Sequence, residues 1–154
     1  MKKCIFDTNA VSLIFSKNVP EIWERYVKQV RKGERILLLF EPLISEIFYK
    51  NEPNFGISEC KTRILQLKAL PKVEFHTLTD TDAINAGEIK VRYKEYDLSL
   101  VDCYLLTVGK HRKSIILTTD HTVRDVGKKI DVEIIYHPLP EIFRRYPNQT
   151  YKTL

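Results

Sequence analysis

Four carboxylates stand where a hard cation could be held. Asp7 ends the apolar run KKCIFD, and Asp120 ends a second, SIILTTD. Glu46 falls one turn into a helix that follows the apolar run RILLLF, and Asp102 lies in the first turn of the helix opened by Ser99. Mg²⁺ and Mn²⁺ prefer oxygen ligands. One or two such ions can activate water and stabilise the charge that develops when a phosphodiester is displaced in line. Spacing along the chain matters little for such a centre. What matters is that each acid sits where strands end, because open parallel sheets bind ligands outside the carboxyl ends of their strands. Each acid also has a plainer reading. Asp7 could cap the next helix, and Glu46 could be an exposed helix residue. Asp102 forms a capping box with Ser99, and a first-turn acid suits the helix dipole. Asp120 could be the N-cap of 121–129. Four such acids at one sheet edge are much less readily a coincidence.

The elements that would position them follow from hydrophobic pattern. Short apolar runs at 4–6, 35–40, 73–78, 114–118 and 132–136 read as strands, the last as an edge. Helices are expected at 10–15 with Asn9 as cap, from Pro20 to about 31, from Pro42 through Glu46 and Tyr49, and from Ser58 to Pro71. Further helices are expected from Thr79, with Asp82 completing a capping box, to about 96, from Ser99, and over 121–129. The turn-rich segment 51–57, NEPNFGI, reads as a loop. Strands alternating with helices predict an α/β fold, a parallel sheet of about five strands sandwiched between helices in three layers. The length predicts a single domain over 1–154. The proline-bearing tail 137–154 is irregular apart from a helical turn at 141–145.

Much other chemistry is absent. Five glycines make no phosphate-cradling loop, and no GxSxG elbow occurs. Cys4, Cys60 and Cys103 form no CxxC pair, so a zinc ribbon or disulfide framework is not indicated. The four histidines lack metal-ligand spacing, and only His121 adjoins a candidate acid. The net charge of +5 suits a polyanionic partner without specifying one. Lys110, Arg112 and Lys113 fall in the turn before 114–118, at the end opposite the acids. Lys50, Lys90 and other cations are scattered over helix faces. No apolar run is long enough to span a membrane, and Asp7 interrupts the signal-like start, so a cytoplasmic protein is expected.

Four segments, IFDTNA at 5–10, EPLISEI at 41–47, DLSLVDCYLL at 97–106 and IILTTD at 115–120, resemble the PIN-domain nucleases, and among them the small VapC-type toxins of toxin–antitoxin pairs. The resemblance implies a Mg²⁺- or Mn²⁺-dependent endoribonuclease. Asp7, Glu46, Asp102 and Asp120 match the family's catalytic, metal-binding acids, with Glu46 preferred to Glu41. Thr8, Asn9, Thr118 and Thr119 match polar positions that support the metal or its waters. Asp97 and Asp125 are expected to be solvated or supporting. The implied partners are an RNA substrate, a small antitoxin and a second copy in a homodimer, with the helix around Trp23 and Tyr26 as a candidate partner surface. Two alternatives stand beside this reading. One is a PIN-like module that binds RNA or protein without cleaving. The other is a haloacid-dehalogenase-like phosphatase, disfavoured because Asn9 occupies the place of its second Asp.

Overall fold

The computed structural model describes residues 1–140. The helical turn expected at 141–145, with the residues beyond it, lies outside the described residues. The elements run β1 (Lys3–Phe6), α1 (Thr8–Phe15), α2 (Glu21–Arg31), β2 (Ile36–Leu39), α3 (Glu41–Lys68), β3 (Val73–Phe75), α4 (Asp80–Arg92), α5 (Leu100–His111), β4 (Ile115–Thr118), α6 (His121–Lys129) and β5 (Ile134–Tyr136). The five strands form one sheet in the order β3-β2-β1-β4-β5, every pair parallel. The fold is the three-layer α/β/α arrangement the alternating pattern implied.

Burial explains the unbroken apolar runs. Cys4, Ile5, Leu37, Leu38, Ile116 and Leu117 are fully buried, because helices cover both faces of the central strands. The registers Cys4↔Leu37 and Phe6↔Leu117 align β1 with its neighbours, so the ends of β1 and β4 open on the same edge. A backbone bond from the Asp7 N–H to the Leu117 carbonyl (2.9 Å) ties the two ends together. Helix α5 lies close against β4 at Gly109. A Cβ there would stand 2.7 Å from Ile116 Cδ1, so a larger residue would force the Ile116 side chain to shift.

Three expectations need correction. Residues 51–57 are not a loop: α3 runs through them, including Pro53, and breaks only at Gly56 (φ 80, ψ 166). Packing against α1 and bonds within the helix override the turn-rich composition here. The buried Asn51 donates to the Ile47 carbonyl (2.8 Å), and Phe55 meets Phe15 edge-on at 6.4 Å. Arg63 covers the Phe55 ring at 4.3 Å and donates to the Phe15 carbonyl. The first helix begins at Thr8, so its cap is Asp7 and not Asn9. Trp23 is fully buried and donates its indole N–H to the Ile135 carbonyl (3.0 Å), which places it in the core and not on a partner surface. Tyr26 is half-buried beneath Arg35 and Arg25. Both expected capping boxes, Thr79 with Asp82 and Ser99 with Asp102, are present. Among the described residues no helix is long and apolar enough to cross a membrane.

Candidate metal centre

Asp7, Glu46, Asp102 and Asp120 line one cavity of about 330 Å³, together with Thr8, Asn9, Tyr49, Lys50, Lys90, Asp97, Leu98 and Ser99. Each acid comes from a different element. Asp7 follows β1, Glu46 sits in α3, Asp102 is the third residue of α5, and Asp120 follows β4. The plainer readings also hold, since Asp7 caps α1, Asp102 closes a capping box and Asp120 caps α6. Capping here serves placement, because each cap fixes a carboxylate oxygen of a residue that lines the cavity.

The hydrogen bonds divide each carboxylate. Glu46 Oε1 accepts from Thr8 Oγ1 (2.5 Å), Asp102 Oδ2 from the Ser99 N–H (2.8 Å), and Asp120 Oδ1 from the Thr122 N–H (2.8 Å) and hydroxyl (2.6 Å). In these three groups the described bonds all fall on one oxygen. Asp7 is held at both: Oδ1 accepts from the Thr8 N–H (2.7 Å) and Oδ2 from Thr118 Oγ1 (2.7 Å). Thr118 Oγ1 also accepts from the Asp120 N–H (3.0 Å), which links the two strand-end acids. Each oxygen keeps acceptor capacity, as a carboxylate has about four lone-pair sites.

The charges oppose one another. Burial, then the neighbouring Asp102 and Glu46 carboxylates, push Asp7 up to about 7, against the lowering effect of the Thr118 and Thr8 hydrogen bonds. Asp102 is also raised, by burial first and then by Asp120 and Glu46, while its bonds from Ser99 pull the other way. A partly desolvated set of like charges built only from oxygen donors fits a hard divalent cation, which would offset the repulsion.

Of the other expected residues, Thr8 and Thr118 hold site carboxylates, and Asn9 lines the cavity. Thr119 is buried, its hydroxyl has no partner among the described residues, and it does not line the cavity. Asp97 lines it, whereas Asp125 pairs with Arg124 at 2.9 Å outside it. His121 is exposed and outside the lining. Sequence reasoning did not single out Tyr49, Lys50 or Lys90 for this place. For Tyr49 and Lys50 the signal was available, three and four residues beyond Glu46 on the same helix.

A separate polar cluster escaped the sequence altogether. His76 Nε2 meets Asp82 Oδ2 at 2.8 Å, and His111 Nδ1 meets Asp82 Oδ1 at 3.0 Å. These three could in principle hold a metal ion. Arg112 lies 3.3 Å from His76 Nδ1. Arginine only donates, so Nδ1 accepts and the Nε2–H is committed to Asp82. Asp82 also receives the Thr79 N–H and is held well below the usual carboxylate range: burial pushes it up, but the bonds from His76, Thr79 and His111 outweigh that. With His76 and Asp82 buried and His111 exposed, this hydrogen-bonded network links α4 to α5.

Fold, acids and motif order together define a PIN domain. The PIN domain family model matches residues 4–129, and the chain belongs to that family. PIN domains are generally nucleases and usually bind divalent metal ions. Among solved structures, VapBC2 from Rickettsia felis, bound to a DNA fragment from their promoter, aligns with TM-score 0.62 and 9% identity over 88% of this chain and 98% of that one. DNA-bound VapBC from Salmonella typhimurium gives TM-score 0.62 and 19% identity over the same shares. VapBC-1 from nontypeable Haemophilus influenzae gives 0.63 and 14%, over 87% and 97%. At these identities the likeness is one of fold. No curated protein matched the chain.

Proposed function

We propose that the protein is a metal-dependent endoribonuclease of the VapC type, with Asp7, Glu46, Asp102 and Asp120 as its metal-binding and catalytic acids. The observation that carries this reading is the convergence of four carboxylates from four elements on one cavity, three of them with a carboxylate oxygen free of described bonds. Mg²⁺ or Mn²⁺, when bound, supplies the positive charge that lowers the pKa of water and offsets charge developing on the phosphate. Asp7 and Asp120, tied through Thr118, form one wall of the centre. Glu46 and Asp102 approach from α3 and α5, steadied by Thr8 and by the Ser99 cap. Thr8 and Thr118 orient the acids, and Asn9 offers a further polar contact. The reaction is hydrolysis: water adds at phosphorus, the bond to the 3′-oxygen breaks, and 3′-hydroxyl and 5′-phosphate ends result.

RNA is taken as the substrate from the resemblance to VapC-type toxins, and the same resemblance makes a small antitoxin and a homodimer the proposed partners. The solved relatives are themselves two-component VapBC complexes. A cytoplasmic setting accompanies this reading. The test is cleavage of a panel of single-stranded and structured RNAs, with single-stranded DNA of matching sequence, in Mn²⁺ or Mg²⁺. Activity lost with EDTA and in purified Asp120→Asn protein is the expected result. Cleavage unchanged in the variant contradicts the assignment. Metal binding without cleavage of any nucleic acid favours the non-cleaving PIN-like module.

A further inference from the structure

The acidic cavity carries more than its acids. Five carboxylates line it, Asp7, Glu46, Asp97, Asp102 and Asp120, against two ammonium groups, Lys50 and Lys90. Lys90 Nζ donates to the Leu98 carbonyl and so is already committed to closing the loop before α5. Lys50 is exposed and makes no hydrogen bond or ion pair among the described residues. Beside it stands Tyr49, 58% exposed, with neither a hydrogen-bond partner nor a ring contact among the described residues. Both belong to the turn of α3 that follows Glu46, where positions three and four along lie next to the first. One helical turn thus carries a buried site acid and, at the rim of the same cavity, an open ring and a free cation.

We propose that Tyr49 and Lys50 form a nucleotide-binding subsite for single-stranded RNA, the Tyr49 ring stacking on an unpaired base and Lys50 neutralising a backbone phosphate. The proposal rests on the ribonuclease reading and names what it adds, a platform that selects unpaired RNA. A polyanion entering a carboxylate-lined cavity meets repulsion, and phosphate neutralisation dominates such affinity. Lys50 is the cation in that lining with no other described task. Stacking requires a base free of its duplex partner, so the pair favours single strands over helical RNA. An exposed tyrosine beside a polar cavity offers its ring face at little entropic cost, having only two rotatable bonds.

The test uses a fluorescein-labelled single-stranded RNA of mixed sequence, and anisotropy measured with Mn²⁺ on the Asp120→Asn background, where the complex persists. Base–aromatic stacking of about 1–3 kcal/mol corresponds to a Tyr49→Ala loss of about 5- to 150-fold in affinity. Tyr49→Phe is expected to keep the affinity, since the ring does the stacking. Lys50→Ala is expected to weaken binding and to reduce the slope of log affinity against log salt by about one. A hairpin RNA with a fully paired stem and capped ends should lose little from Tyr49→Ala. Mn²⁺ binding by the Tyr49→Ala protein, measured calorimetrically, should match that of its parent and so exclude a damaged centre. Undiminished affinity in Tyr49→Ala overturns the subsite, as does a change confined to its oligomeric state. If the unmutated protein cleaves RNA and Tyr49→Ala cleaves and binds equally well, only the subsite falls. If the unmutated protein neither binds nor cleaves RNA, both readings fall together.

Discussion

The Asp7 carboxylate is where burial and neighbouring charge act most strongly on a single group. In the folded metal-free protein, burial and the nearby acids hold its pKa at about 7, against 3.8 in the unfolded chain. Between those values the folded state binds more protons than the unfolded one, so this group's contribution to stability falls as pH rises. The contribution is fully present below about pH 4 and fully lost above about pH 7. Asp7→Asn removes the titration while keeping the shape. In EDTA the variant should therefore be more stable than wild type at pH 8, on the order of a few kcal/mol, with the gap closing toward pH 4. Urea midpoints at several pH values measure this. A wild type that gains stability over the variant between pH 5 and 8 contradicts the assignment. The same proton competes with metal, so wild-type Mn²⁺ affinity should climb through neutral pH. At this scale the strand-end acids were legible because apolar runs ending in Asp are rare enough to notice. The His76–Asp82–His111 cluster was not legible. Its contacts join residues 6 and 29 positions apart, and nothing local marks them.

Elements place these residues, and α3 shows how a single backbone angle governs that placement. The helix carries Glu46 early, breaks at Gly56, and resumes to Lys68. The Gly56 conformation (φ 80, ψ 166) lies in a region essentially reserved for glycine. An added Cβ would meet nothing within 4 Å there, so substitution costs backbone strain alone. Gly87 in α4 has equally open space around it but lies in a helix without a positive φ. Gly56→Ala is therefore expected to destabilise by about 1–3 kcal/mol. Gly87→Ala should stabilise by about 0.5–1 kcal/mol through helix propensity. Thermal or urea unfolding of the two variants compares them directly, and equal effects would refute the strain account. Sequence reasoning mistook this region for a loop because Pro53 and Gly56 are turn residues. The contacts of Phe55, Arg63 and Asn51 that hold it helical come from α1 and from the helix itself. The helix starts at Thr79 and Ser99 were legible because capping boxes are written in four consecutive residues.

For the whole molecule, the order of strands and helices largely determined the fold, since buried parallel strands and amphipathic helices leave few arrangements. The meeting of four acids at one edge followed from it, whereas the strand order β3-β2-β1-β4-β5 is seen only in the pairing itself. The surface did not follow from it. Which cations face the cavity depends on the pitch of individual helices: Lys50 follows Glu46 by one turn of the same helix, whereas Lys90 reaches the cavity from α4, far from any site acid in the sequence.

The proposed metal centre is built from four carboxylates, and Mn²⁺ binding tests it most directly. Isothermal titration at pH 8 would compare wild type with Asp7→Asn, Glu46→Gln, Asp102→Asn and Asp120→Asn, and with His111→Ala as a control. The expected result is binding in wild type and in His111→Ala, weakened at least about tenfold, or about 1.4 kcal/mol, in each of the four acid variants. Binding that survives all four substitutions, or that His111→Ala abolishes, would place the metal elsewhere and contradict the account.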